Sequence, residues 1–208
     1  MLCTHLVWAR AIEEKPFWKA KPAVYRKIIE DRAIIVSVMH KTPSQKTADY
    51  KLSLKSAGLV DAPTEFSKRK MLKFEDLVKI SKQIREVKYD TKTGILFFHG
   101  EAMSYHAIMW IKLDIIDNKE GFAINWKVIR GHLLGMSGAI VLEDYKRRKS
   151  EVSLIADYKA KKLPLPATLL DFGLEIVLQQ VAKNIRTFLE AEYQRELMAN
   201  ERSKSAHK

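Results

Sequence analysis

The sequence predicts an α+β domain in which a run of antiparallel strands is closed by one long C-terminal helix. Three observations carry that prediction. Apolar and polar residues alternate repeatedly between residues 95 and 158, the period of half-buried strands. Short turn signals separate these runs, among them Asp117-Asn-Lys-Glu-Gly121, and strands joined by short turns pair antiparallel. After Leu163-Pro-Leu-Pro166 the pattern becomes helical, with no Pro and no Gly except Gly173 from Ala167 to about Asn200.

Taken in order, the first strand lies in the β-branched run Ala33-Ile-Ile-Val-Ser-Val-Met39, and Lys51-Leu-Ser-Leu-Lys55 alternates as a second. Asp61-Ala-Pro63 then introduces a helical stretch. The spacing of Phe74, Leu77, Val78, Ile84 and Val87 reads as one apolar stripe, from two short helices or a bent one. Strand character begins at Ile95. Met103, Tyr105, Ala107, Met109, Ile111 and Leu113 share one face, while Ser104, His106, Ile108, Trp110 and Lys112 take the other. Phe122, Ile124, Trp126 and Val128 alternate as the next strand. Gly131, Gly135 and Gly138 break the chain before Ala139-Ile-Val-Leu142, and Glu151 to Tyr158 follows the basic turn Lys146-Arg-Arg-Lys149. Leu169, Leu170, Phe172, Leu174, Ile176, Val177, Val181, Ile185, Phe188 and Leu189 place an apolar stripe on the closing helix.

The chain has 208 residues, 47% hydrophobic and 30% charged, with eight Gly, six Pro and one Cys. Collagenous, low-complexity and disulfide-rich classes are excluded. A chain of this length buries roughly 70% of its unfolded surface, enough for one core without staples. No internal repeat or flexible linker divides it. The expected organisation is a basic extension over residues 1–27, a domain over 28–200 and a polar tail over 201–208. Cys3 is the only thiol, which fits a reducing compartment. Met1 to Arg10 has neither the basic start nor the cleavage site of a signal peptide, and no apolar run approaches the ~20 residues of a spanning helix. A soluble, cytoplasmic protein is expected.

Basic residues outnumber acidic ones 37 to 25, a net charge of +12, so an anionic partner has to be considered. Residues 1–60 hold half of the excess, with 11 basic and 5 acidic groups. There Lys15, Lys19, Lys21, Arg26 and Lys27 are interleaved with Phe17, Trp18 and Tyr25. Such a segment suits an anionic membrane surface or nucleic acid; a basic solvated arm whose aromatics pack on the main domain is the preferred reading. The basic turn at 146–149 reads as a solvated hairpin tip in preference to a phosphate site.

Chemistry-bearing motifs are sparse. There is no Gly-x-Ser-x-Gly elbow, phosphate loop or dinucleotide fingerprint. His99, Glu101, Tyr105 and His106 gather acid, base and hydroxyl groups within eight residues, the best candidate catalytic cluster, although a partly solvated strand end near Gly100 is the preferred reading of it. His99 and Glu101 would share a strand face, and His106 would share it with neither on a regular strand. His99, Glu101 and His106 match no familiar metal spacing. Neither a metal nor a cofactor is expected.

Several strings carry a family resemblance. Val60-Asp-Ala-Pro-Thr-Glu-Phe66, Asn125-Trp-Lys-Val-Ile-Arg-Gly131 followed by Met136-Ser-Gly-Ala-Ile-Val-Leu-Glu143, and Leu163-Pro-Leu-Pro166 into Leu169 to Tyr193 resemble the junction, paired central strands and closing helix of the START and polyketide-cyclase-like superfamily, also called SRPBCC. The resemblance spans about residues 30 to 193. It implies a helix-grip fold, a curved sheet wrapped around the long helix with a cavity between them. It further implies an apolar guest such as a lipid, sterol, quinone or polyketide-like molecule, carried by most members and cyclised or dehydrated by some.

On that template the cavity wall would draw on Met103, Tyr105, Met109, Phe122, Ile124, Trp126 and Met136 from the strands, and on Phe172 and Ile176 from the helix. Each is also what a filled core would contain, because alternation fixes a face without saying which face is concave. Three roles therefore stay open: a binder or carrier of an apolar small molecule, a cyclase or dehydratase using His99, Glu101 or Tyr105, and a basic surface binder. In the last, an anionic membrane is favoured over nucleic acid. The sequence does not indicate an oligomeric state.

Overall fold

A computed structural model describes residues 18–41, 49–102, 104–118, 121–146, 148–162 and 173–206. Its elements are α1 (Pro22–Ile29), β1 (Ile35–Lys41), β2 (Tyr50–Val60), α2 (Thr64–Met71), a 3-10 turn (Phe74–Asp76) and α3 (Leu77–Ile80), then β3 (Ile84–Asp90), β4 (Ile95–Ala102), β5 (Tyr105–Asn118), β6 (Gly121–Gly131), β7 (Ser137–Asp144), β8 (Ser150–Ala160) and α4 (Leu174–Ala206). The eight strands form one curved, open, antiparallel sheet in the order β1-β2-β8-β7-β6-β5-β4-β3. At 1.5 Å per residue the 33-residue α4 runs about 50 Å, long enough to cross it. This is the expected α+β architecture. Among the described residues no helix is long and apolar enough to cross a membrane.

The alternation sorts the strands into two faces. On the inner face, Val87, Leu96, Leu113, Phe122, Ile124 and Leu142 form a buried cluster roofed by Phe74 with Met71, Leu72 and Leu77 of the helical stretch. Beside it Leu52, Val128, Met136, Ala156 and Tyr158 form a second cluster that reaches Leu174 at the start of α4. Outer-face residues Ala57 and Leu59 of β2 pack instead against Trp18 and Ile28. The aromatics of the basic segment thus take the packed role, as far as they are described: Trp18 has no exposed surface.

The structure corrects several element assignments. Ile84 and Val87 belong to strand β3, not to a helical stripe. A bulge sets Ile84 against Gly100 and Glu86 against His99, so Arg85 is an extra residue. It brings two residues three apart onto one face, which imitates helical spacing. A tight turn ends β4, with Ser104 at φ 63°, where a single continuing strand was read. Helix α1 crosses the boundary drawn between residues 27 and 28. Residues 201–206, read as a tail, are the last turns of α4. The Leu163-Pro-Leu-Pro166 break and the first turns expected of the closing helix lie outside the described residues.

Gly131 closes β6 at φ 93°, a conformation open to glycine, and a Cβ there would sit 2.2 Å from the Ile108 carbonyl oxygen. The turn beyond it presents His132, whose Nδ1 accepts from the Ile108 amide at 3.0 Å.

Candidate functional site

Helix α4 lies over the inner face with Leu178, Val181, Ala182 and Ile185 turned toward the sheet, the i, i+3, i+4, i+7 stripe of an amphipathic helix. Below them are Ser56, Gly58 and Val60 of β2, Ile140 of β7, and Val152 and Leu154 of β8. Between these layers is a half-open apolar cavity of about 80 Å³. The layers do not seal. Leu178, Val181 and Ile185 stay half-buried, whereas one turn further Leu189 is only 1% exposed.

The sealed end is held firmly. Leu189 packs with Val60, Ala62 and Phe66, the Phe66 and Tyr193 rings meet edge-on at 5.0 Å, and Lys70 and Arg69 reach Glu192 and Glu196 at 2.7 Å each. Arg32 bridges Asp61 at 2.6 Å and Glu190 at 2.5 Å, and Glu190 also accepts the Asp61 amide at 2.9 Å. Lys149 of the basic turn joins Asp61 at 2.9 Å. The turn read as a solvated tip therefore contributes one side chain to a structural ion network.

Arg186 stands where that network meets the cavity. Its Nη1 donates to the Arg32 carbonyl at 2.7 Å. Its Nη2 is buried and has no hydrogen-bond partner among the described residues. Gly58 makes room for it: a Cβ there would lie 2.7 Å from Nη2. Burial pulls the guanidinium below its ordinary pKa, opposed by Glu190 and Asp61. A guanidinium nevertheless remains charged at neutral pH.

The sequence-derived candidates separate into groups. Phe122 and Ile124 are buried in the first inner cluster, Met136 in the second, with Met109 packed beside it and Trp126 touching both. Trp126 faces Gly138 across β6 and β7, and its indole occupies the space a side chain at 138 would need. These residues share the inner face but do not line the cavity under α4. Ile176 is 62% exposed and borders a separate, open pocket with Gly173, Val177 and Glu101. Met103 and Phe172 lie outside the described residues.

The catalytic cluster is split. The β4–β5 hairpin folds His106 back opposite Glu101, so it shares a face with His99 and Glu101 after all, with His99 Nε2 and His106 Nδ1 3.1 Å apart. That face is the outer one, since Phe98, next to His99, packs into the inner cluster. Arg85 binds Glu101 at 2.8 Å and holds its carboxyl below the usual carboxylate range, the wrong direction for a base poised near neutrality. Tyr105 alone turns inward, its ring edge-on to His132 at 5.8 Å, and burial raises its hydroxyl pKa. Among the described residues no group of three His, Cys, Asp or Glu is placed to hold a metal.

Sequence reasoning placed Val181 and Ile185 on the apolar stripe of the closing helix but did not assign them to the cavity, and it missed Arg186, Gly58, Leu178 and Ala182. One signal was available: Arg186 follows Leu178 by eight residues, which puts a cation on the flank of the apolar stripe instead of on the solvent face.

No protein-family model matches the chain, and no curated protein matches its sequence. Solved structures do match it. A START superfamily protein from Mycobacterium smegmatis superposes with a TM-score of 0.54 at 14% identity, over 69% of this chain and 97% of that one. The Zhui aromatase/cyclase from a Streptomyces species gives 0.55 at 13% identity, over 71% and 96%. A STAR-related lipid transfer protein fragment from Xanthomonas axonopodis gives 0.55 at 7% identity, over 73% and 98%. At such identities the likeness is one of fold, and it extends over nearly the whole of each neighbour. With its eight-stranded antiparallel sheet gripping a long C-terminal helix, this chain has the START and polyketide-cyclase-like helix-grip fold.

Proposed function

We propose that the protein binds an apolar small molecule, of the lipid, sterol, quinone or polyketide-like kind, between the inner face of its sheet and helix α4. One observation carries this reading: the inner stripe of α4 is left half-exposed at Leu178, Val181 and Ile185 above an equally apolar sheet surface, while the same helix is sealed at Leu189. Apolar surface on both walls of an unsealed gap is stabilised by a guest that removes it from water. Lipid transfer and aromatase/cyclase proteins among the structural neighbours agree with such a guest.

The cavity measures about 80 Å³. Pockets for drug-sized ligands measure about 300–1,000 Å³. A whole guest therefore enters with outward movement of the first half of α4, pivoting on the sealed end. A binding role is favoured over the cyclase or dehydratase alternative because His99 and Glu101 face away from this gap and Tyr105, though turned inward, does not line it.

The test combines native mass spectrometry and solvent extraction of the purified protein with titration of Nile red into the native chain and into Ala182→Trp, which fills the gap. An extractable apolar molecule, or dye emission that the substitution removes while the circular dichroism is unchanged, is the expected result. An empty protein, together with dye emission indifferent to Ala182→Trp, overturns the reading.

A further inference from the structure

The wall of an apolar cavity is an unusual place for an unpaired guanidinium N–H. Buried polar groups are almost always hydrogen-bonded, and an unmet charged donor is costly. Around Arg186 the partners are already occupied. Glu190, one turn along α4, receives Arg32 and the Asp61 amide; Asp61, at the β2–α2 junction, receives Arg32 and Lys149. Among the described residues the cluster holds three cations, Arg32, Lys149 and Arg186, against two carboxylates, Asp61 and Glu190, an excess of one positive charge. Two buried guanidinium donors of the cluster have no hydrogen-bond partner among the described residues, Nε of Arg32 and Nη2 of Arg186, and of the two side chains it is Arg186 that lines the cavity.

We propose that the cavity takes an amphipathic monocarboxylate, a long apolar chain ending in one carboxylate, with that carboxylate accepting from Nη2 of Arg186 and the chain running between α4 and the sheet. The proposal rests on the apolar-guest reading and adds the head group to it. A carboxylate brings the local count to three against three and satisfies the open donor through a charge-assisted hydrogen bond. An extended chain suits a narrow gap whose walls are Leu178, Val181, Val152 and Leu154 better than a fused ring system does. Gly58 lets the guanidinium approach β2, where a Cβ would lie 2.7 Å from Nη2. Burial has already weakened the hold of Arg186 on its proton, and a bound anion reverses that shift.

The experiment compares dodecanoate with dodecanol by calorimetry, using the native chain and Arg186→Met, which keeps the side-chain volume without the charge. Dodecanoate is expected to bind the native chain roughly tenfold or more tightly than dodecanol, as a hydrogen bond to a charged group predicts, and Arg186→Met should erase that preference while leaving dodecanol unaffected. Should Arg186→Met fail to fold, carboxyl-labelled dodecanoate bound to the native chain decides by its NMR titration. A carboxyl pKa below that of the free acid supports contact with the guanidinium, and one at or above it overturns the proposal. Equal affinity for acid and alcohol, or a preference that survives Arg186→Met, overturns the head-group proposal and leaves the apolar-guest reading standing. Failure of both probes to bind overturns the two together.

Discussion

Glu151 is the most demanding side chain in the fold: a carboxyl 2% exposed, under the N-terminal segment on the outer face of the sheet. The Trp18 indole donates to it at 2.5 Å, and Lys19 lies 3.4 Å from it while bridging to Glu143 at 2.6 Å. Glu143 and Glu151 stand directly opposite each other on β7 and β8, so Lys19 relieves a cross-strand like-charge pair. Burial pushes the Glu151 pKa up, and the indole and Lys19 only partly restrain it. In the window from the ordinary glutamate range to this raised value, the folded chain holds a proton that the unfolded chain has released. Stability contributed by this group is therefore fully present at low pH and is lost as pH rises through that window. Glu151→Gln keeps an acceptor for the indole and removes the titration. Its denaturant stability relative to the native chain should improve as pH is raised, and a difference that stays flat with pH would refute the assignment. Nothing in the local sequence marks Glu151 as buried, because Glu151-Val-Ser-Leu alternates like any half-exposed strand; its partner lies 133 residues away.

At the scale of elements, the strands were readable because apolar and polar residues alternate along much of their length, although parts of β2 and β6 are covered on both faces. Phe122 to Val128 and Tyr105 to Leu113 lie on the faces the alternation predicts. Legibility failed where register breaks. The bulge at Arg85 disguised β3 as helix, and the hairpin at Ser104 brought His106 beside His99, contacts that depend on pairing partners and not on local pattern. Pairing also explains Gly138. It is not a turn residue but a strand position whose missing side chain admits the Trp126 indole, with Trp126 aligned opposite. A Cβ at 138 would meet that ring at 2.7 Å and the Ile155 carbonyl oxygen at 2.2 Å. Gly138→Ala should therefore destabilise the fold by about 1–3 kcal/mol, the range for overpacking, seen as a lower urea midpoint. A midpoint within error of the native value would show that the indole is free to move aside, and that β6 and β7 are not held in register by this contact.

Over the whole molecule, the cavity was inferable as a class of feature and not as a set of residues. Alternation says that two apolar walls exist; which wall α4 covers, and where it fails to seal, depends on the curvature of the sheet and on the clamp at Glu190. The same limit applies to the charge. The N-terminal excess reads in the sequence as a basic solvated arm with packed aromatics, yet Lys19 and Arg32 are held in ion pairs to the domain, and Lys21, Arg26 and Lys27 are the basic groups of α1 and its lead-in that remain exposed. Trp18 completes the outer core with Ile28, Ala57 and Leu59. Residues 18–29 are thus packed as a layer on the outer face, and a division at residue 27 cuts through that packing. A chain beginning at residue 28 would lose Trp18, Lys19 and most of α1, expose Leu59 and strip Glu151 of its indole donor. Removing a buried tryptophan alone costs about 3–5 kcal/mol, against about 5–15 kcal/mol for a whole domain. Urea unfolding of chains starting at residues 18 and 28 should accordingly differ by at least that cost, with the shorter chain partly unfolded before denaturant is added. Coincident midpoints would mean that the sheet tolerates an open outer face, and that the buried Trp18 contributes far less than its burial implies.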